Sequence, residues 1–147
     1  MFTTLLDKLE PQDDAALGIA PVIVQQRIYP KTDYRVTVVG EDVFPVRIFS
    51  KNGEVALDWR TQKVGLEFDQ CSLPAELISH CRTLVKTLGL QFGAIDLVES
   101  KGKFFFLEIN PNGEWGWLQK TVGVPIAEAL VGLLINLASE AANSQST

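Results

Sequence analysis

The sequence predicts an α+β fold: an antiparallel sheet packed against two or three helices. Three features carry that expectation. Val-rich runs broken by turn residues fill the stretch from Val22 to Arg60, a helical apolar face lies between Pro74 and Gly89, and a second helical pattern follows Pro125. Strand runs followed by helices mark α+β folds rather than alternating βαβ units. At 147 residues the chain is one domain long and can bury a core without staples.

Taken in order, residues 1–20 read as an irregular N-terminal segment, because Asp, Glu, Pro, Gln and Gly interrupt any period. The domain proper is expected over residues 21–141. Val22 to Ile28 reads as a strand, Tyr34 to Val39 as a second and Val43 to Phe49 as a third. Asn52-Gly53 is a strong hairpin signal, with Val55 to Arg60 as the return strand. From Thr61 to Ser72 the pattern lapses, which reads as a loop. Pro74 opens a helix whose Leu77, Ile78, Cys81, Leu84, Val85 and Leu88 share a face, and Gly89 closes it. Phe92 to Val98 and Phe104 to Asn110 form a hairpin around Lys101-Gly102. Trp115 to Thr121 reads as a short helix. Pro125 begins a last helix carrying Ile126, Leu130, Leu133, Leu134 and Leu137, and residues 142–147 are polar enough to fray.

Composition narrows the function classes. The net charge of −5 argues against a general nucleic-acid surface, though it leaves room for a local basic pocket. Cys71 and Cys81 do not make a disulfide framework or a zinc motif, so the reducing cytoplasm is the expected location. No signal peptide is recognised. The apolar stretch Leu130 to Ala138 is too short to cross a bilayer and lies between Glu128 and Glu140, so no membrane association is expected. His80 falls off the apolar face of its helix and reads as solvated, Cys81 as core, and Cys71 is undecided.

The chemistry concentrates on the second hairpin. Asp96, Glu108 and Asn110 offer oxygen ligands within an apolar stretch. Buried polar groups are costly unless paired or metal-bound, and hard divalent cations favour carboxylate and amide oxygens. By strand alternation Asp96 shares a face with Ala94 and Val98, and Glu108 and Asn110 share one with Phe104 and Phe106. Asp96 faces Glu108 only if the hairpin has a three-residue connection centred on Gly102, or a bulge. Two like charges that close destabilise a bare sheet, and a cation would remove the conflict. On spacing alone, a metal site and a solvated sheet face near Lys101 and Lys103 stand level. Arg35, Arg47 and Arg60 form a second set. Either they clamp phosphate oxygens, or they are surface arginines paired with Glu41, Asp42 or Glu67. The strand through Gln25, Gln26, Arg27 and Ile28 could present backbone groups to a purine edge, a signal that is weak by itself.

Together these segments resemble the ATP-grasp ligases. The order is Val-Gln-Gln-Arg-Ile, Asp33-x-Arg-Val-x-Val-Val-Gly, Asp58-Trp59-Arg60, Gly93-Ala-Ile-Asp and Leu107-Glu-Ile-Asn-Pro-Asn-Gly. Asp58-Trp59-Arg60 and Asn110-Pro-Asn-Gly-Glu-Trp-Gly-Trp117 are most similar to the microviridin-type, or graspetide, peptide macrocyclases. The related ribosomal-protein glutamate ligases look less similar there. The resemblance spans roughly residues 20 to 135 and implies the C-terminal subdomain of an ATP-grasp fold. By it, Asp96, Glu108 and Asn110 match ligands for magnesium, with Glu108 bridging two ions. Arg35 and Arg60 match positions near the γ-phosphate or acyl phosphate. Gln25, Gln26, Arg27 and Ile28 match the hinge that holds adenine, and Arg47 joins the nucleotide-binding set. The implied reaction uses ATP to activate a carboxylate of a precursor peptide, with an ester or amide as product.

The family's lid carries lysines that grip the α- and β-phosphates, and no Gly-rich loop with a following Lys stands near the start of this sequence. The chain alone is therefore expected to bind ATP weakly and not to ligate peptides. A full-length ligase or an N-terminal ligase half is a possible partner. A homodimer is another, if Trp115 and Trp117 are left uncovered rather than packed as core. The alternative to a ligase is a non-catalytic remnant that binds peptide, metal or a partner. A plain magnesium- or calcium-binding module is the third reading.

Overall fold

The computed structural model describes residues 5, 6, 8, 18, 19, 23–51, 55–62 and 64–144. Its elements are β1 (Thr32–Val39), β2 (Asp42–Ser50), a 3-10 turn (Trp59–Thr61), β3 (Leu66–Gln70), α1 (Ala75–Thr87), β4 (Phe92–Ser100), β5 (Lys103–Asn110), α2 (Gly116–Val122) and α3 (Ile126–Ser144). The five strands form one antiparallel sheet in the order β3-β2-β1-β4-β5. This is the expected α+β arrangement.

The sheet is covered on both faces, because its central strands are apolar at successive positions rather than alternately. On one face Val36, Val38, Ile95 and Leu97 pack against Cys81 and Val85 of α1, with Tyr34, Leu77, Leu84 and Ile109 around them. On the other, Val39 and Val46 pack against Leu118, Val124 and Ile126 of the α2–α3 region. Trp115 and Trp117 join that second core, so the uncovered-aromatic argument for self-association loses its premise. His80 is exposed and Cys81 buried, as the helical face implies.

Several expectations are corrected. Residues 23–28, expected as a strand with Val22, carry no strand structure: they pair with no strand of the sheet and are mostly exposed. Asn52-Gly53 lies outside the described residues. The strand returning beside β2 is β3, within the stretch read as loop, and Val55–Arg60 instead runs into the 3-10 turn. β3 is only five residues long and offers two apolar positions, Leu66 and Phe68, too few to show a period. At the other end α3 continues through Ser144, past the expected fraying point. Its Leu134 is 64% exposed, while Leu130 and Leu133 pack inward. α3 has 19 residues with a hydropathy of 1.2 and is, by length and composition alone, long and apolar enough to cross a membrane. Glu128 and Glu140 fall within it, and its first turns pack on the core.

Candidate functional site

The site forms on the sheet face that also carries α2 and α3. Asp96 on β4 pairs with Arg35 on β1 and Glu108 on β5, and the neighbouring rung pairs Ala94 with Asn110. This is the register the sequence required. Of the two ways to reach it, the chain uses the bulge: Asp96 faces Glu108, but Leu97 faces Phe106, so Leu107 is the extra residue. The connection itself has two residues, Lys101 and Gly102, at φ 52° and 76°. Two successive positive φ angles are the geometry of the tight hairpin turn that Gly suits.

The bulge corrects the expected neighbours of Glu108. Phe106 lies opposite Leu97 and Phe104 packs on Tyr34 with ring centres 5.5 Å apart, both on the α1 face. Glu108 and Asn110 are thus turned away from the phenylalanines toward Asp96. The Asn110 side-chain oxygen accepts from the Asn112 N–H at 2.9 Å, folding residues 110–113 back over the sheet. Gly113 makes that approach possible, since a Cβ there would stand 2.4 Å from the Ala94 Cβ. Gly113→Ala is expected to cost about 1–3 kcal/mol, because both neighbours of that contact are fixed backbone-near groups. Urea unfolding measures it, and a stability equal to wild type would refute the tight contact.

Arg35 is 7% and Asp96 6% exposed, and the guanidinium Nη1 lies 3.1 Å from the Asp96 Oδ1. The pair is close but poorly aimed: neither atom meets hydrogen-bond geometry, and Arg35 Nε is also without a partner. Burial raises the Asp96 carboxyl pKa to about 6; Arg35 and Arg60 oppose the rise and Glu108 adds to it. Arg60 closes the other side. Its Nη1 reaches Glu108 at 3.1 Å, while its Nε and Nη2 hold both oxygens of Asp58 at 2.9 and 3.0 Å. Asp58 also caps the 3-10 turn through the Arg60 N–H. Asp58 raises the pKa of Arg60, keeping it charged.

Among the described residues no group of three or more His, Cys, Asp or Glu forms a metal cluster. The candidate set is two carboxylates and an amide, and it suits a hard cation. The Asp96 Oδ1 is buried without a hydrogen bond, a second carboxylate faces it, and the Asn110 oxygen keeps a free lone pair.

The remaining candidates divide. Arg47 lies opposite Tyr34 on the α1 face and pairs with Asp69 at 3.0 Å, both half-exposed. Its neighbours Val46 and Ile48 take the site face, so the strand pleat turns Arg47 away from Asp96 and Glu108. Gln25, Gln26, Arg27 and Ile28 lie in the irregular, largely exposed stretch, where the Arg27 guanidinium stacks 4.7 Å over Tyr29. Arg27 and Tyr29 border a small cavity with Lys31 and Leu57. Two charged residues outside the candidate set, Lys31 and Asp33, meet the segment that leads into the turn carrying Arg60. The Lys31 ammonium donates to Asp33 at 2.7 Å and to the Leu57 carbonyl at 3.0 Å, and both side chains are at least nine-tenths buried. The available signal was Lys31 two positions ahead of Asp33, which strand alternation places on one face.

Solved structures with a similar fold come from peptide-modifying ATP-grasp enzymes. Macrocyclase MdnC from Microcystis aeruginosa MRC, solved with its precursor peptide MdnA, is 34% identical over 71% of this chain, with a TM-score of 0.59. A RiPP-associated ATP-grasp ligase from Chryseobacterium gregarium, solved with ADP and a leader and core peptide, is 31% identical over 76%, with a TM-score of 0.67. Macrocyclase MdnB from the same Microcystis strain is 28% identical over 87%, with a TM-score of 0.62. The matches cover 33%, 35% and 46% of those three chains, so this chain spans less than half of each. No match was found among curated proteins. The family model for the RimK-like ATP-grasp domain matches residues 8–134. The chain belongs to the RimK-like ATP-grasp domain family.

Proposed function

We propose that the chain is the C-terminal part of an ATP- and magnesium-dependent ligase that activates a peptide side-chain carboxylate as an acyl phosphate and joins it to a hydroxyl or amine. The observation that carries this reading is the cross-strand pair Asp96–Glu108, set on a bulge and flanked by the guanidinium groups of Arg35 and Arg60. Such a site offers oxygen ligands and fixed positive charge side by side, the combination phosphoryl transfer requires. The solved relatives that hold ADP and peptides support the substrate class.

Asp96, Glu108 and Asn110 would hold magnesium, which when bound would neutralise phosphate oxygens. Arg35 is fixed beside Asp96 with its Nε and Nη1 buried and without hydrogen-bond partners, so it supplies positive charge at the floor of the site. Arg60, aligned by Asp58, stands at the rim with a 37% exposed side chain and can follow the acyl phosphate as substrates exchange. Glu108 is 50% exposed, so the carboxylate cluster is open on that side. Residues 1–147 by themselves are therefore expected to bind magnesium-ATP weakly and not to ligate peptide, because an open site neither surrounds the ligand nor excludes water.

A titration of 15N-labelled chain with ATP, magnesium and both together tests this. Amide shifts at Asp96, Glu108 and Asn110 are expected with both present, at millimolar ATP. Equal shifts with magnesium alone would favour a plain cation-binding module. Micromolar affinity would overturn the expectation of a weak half-site, and shifts confined to residues elsewhere would sink the site assignment.

A further inference from the structure

The turn that carries Asp58 and Arg60 is closed on itself. Asp58 accepts from the Arg60 backbone and guanidinium, and its own carbonyl accepts from the Thr61 hydroxyl at 2.7 Å. Gln62 accepts from the Ala56 N–H at 2.9 Å and donates to the Val64 carbonyl at 3.2 Å. These bonds give the turn its shape but not its place on the sheet.

Its place depends on groups outside it. Trp59 packs on Phe68 and Trp117, with ring centres 6.3 and 5.6 Å away, and Arg35 lies 5.8 Å over its ring. Such stacking tolerates sliding, whereas a hydrogen bond to a charged group fixes direction. Arg60 makes one such bond, to the half-exposed Glu108 at 3.1 Å, and Lys31 makes the buried one. Lys31 stands 26 residues before Leu57, yet its ammonium donates to the Leu57 carbonyl at 3.0 Å and to Asp33 at 2.7 Å. Its side chain is 10% exposed and that of Asp33 is 4% exposed. Asp33 also feels the charge of Asp58, which Lys31 counters. Without the ammonium, two buried carboxylates would repel across the seam between β1 and the turn.

We propose that Lys31 is a positioning residue: its ammonium pins the Asp58-Trp59-Arg60 turn to β1 and so sets where the Arg60 guanidinium meets Glu108. The consequence for catalysis rests on the ligase reading, but the positioning itself does not. Only a cation long enough to span Asp33 and Leu57 satisfies both acceptors at once, so Lys31→Met keeps the apolar stem and loses the tie, and Lys31→Arg retains part of it.

The test uses the 147-residue chain as Lys31→Met and Lys31→Arg. Near-ultraviolet circular dichroism reads the Trp59–Trp117 contact, and the 15N-detected Nε–H resonance of Arg60 reads its surroundings. Lys31→Met is expected to shift both signals with far-ultraviolet dichroism unchanged, and Lys31→Arg to restore them in part. Where ATP responds to magnesium, Lys31→Met should weaken that response about tenfold, since a small misplacement suffices. In an Arg60→Met background the same change should add nothing. Wild-type tryptophan and Arg60 signals in Lys31→Met would overturn the proposal, as would losses that simply add to those of Arg60→Met. If no ATP response exists, the ligase reading fails and the two spectroscopic signals still decide the role of Lys31. Should Lys31→Met not fold, Asp33→Asn, which removes the other end of the tie, is read in the same way.

Discussion

Glu108→Gln is expected to leave the metal-free fold intact and to lower affinity for divalent cations by about 10–100-fold or more, since loss of even a supporting group at a metal site costs about 10–100-fold. In the free chain Glu108 faces Asp96 and helps to raise its carboxyl to about 6 from the ordinary 3.8. Removing that charge relieves the repulsion. The bond from Arg60 to Glu108 is largely exposed and contributes on the order of 0–1 kcal/mol, and Arg60 keeps both oxygens of Asp58. Stability without metal should therefore hold or rise slightly, while stabilisation by magnesium with ATP disappears.

The wild-type pH dependence follows from the same pair. A carboxyl raised in the folded state stabilises when protonated. That contribution is full below about pH 4 and is lost as pH rises through about 6. Binding of a cation at the proposed site would run the other way, because the ion would compete with the proton on Asp96: affinity should fall about tenfold per pH unit below pH 6. Thermal melts with manganese or magnesium at pH 5, 6 and 7 measure both. Retained cation stabilisation in Glu108→Gln, or affinity indifferent to pH, would remove Glu108 and Asp96 from the proposed metal site.

Much of this arrangement is legible in the sequence, and what is not has identifiable causes. The α1 face and the β4–β5 hairpin announce themselves through long periods and turn residues, so their packing follows. The pairing of Asp96 with Glu108 needs only the strand period and a sum of positions, and the bulge left Phe104 and Phe106 as the misread residues. The region between β2 and α1 is not legible in the sequence, because β3 is too short to show a period and an internally bonded turn has none at all. Arg47 shows the limit of residue type as evidence. It matches a phosphate ligand in kind, yet the pleat turns it to the α1 face and Asp69 takes its charge. Lys31 shows the converse: its value lies in a contact 26 residues away, which no local pattern encodes.

Arg35→Met tests how the buried charges are held, and its cost should depend on pH. Asp96 is 6% exposed, and Arg35 is the largest influence favouring its ionised form. With the guanidinium gone, an ionised Asp96 would face only Glu108 and the more distant Arg60. Breaking a buried pair by removing one partner costs about 3–5 kcal/mol when the other charge cannot leave. Here it can leave by taking a proton, and without Arg35 it does so at higher pH than in wild type. The loss should therefore approach about 3 kcal/mol at pH 8 and shrink toward pH 5, where Asp96 is already largely neutral in the wild type. The methionine fills the apolar stem space between β2 and β4, so a packing defect alone would give a loss independent of pH. Denaturant unfolding at pH 5 and pH 8 separates the two. Equal losses at both would mean that Arg35 is held as a space-filling stem. A loss that grows with pH, together with disappearance of the magnesium–ATP shifts at Asp96, would mean that one guanidinium both restrains the buried carboxylate and presents positive charge to phosphate.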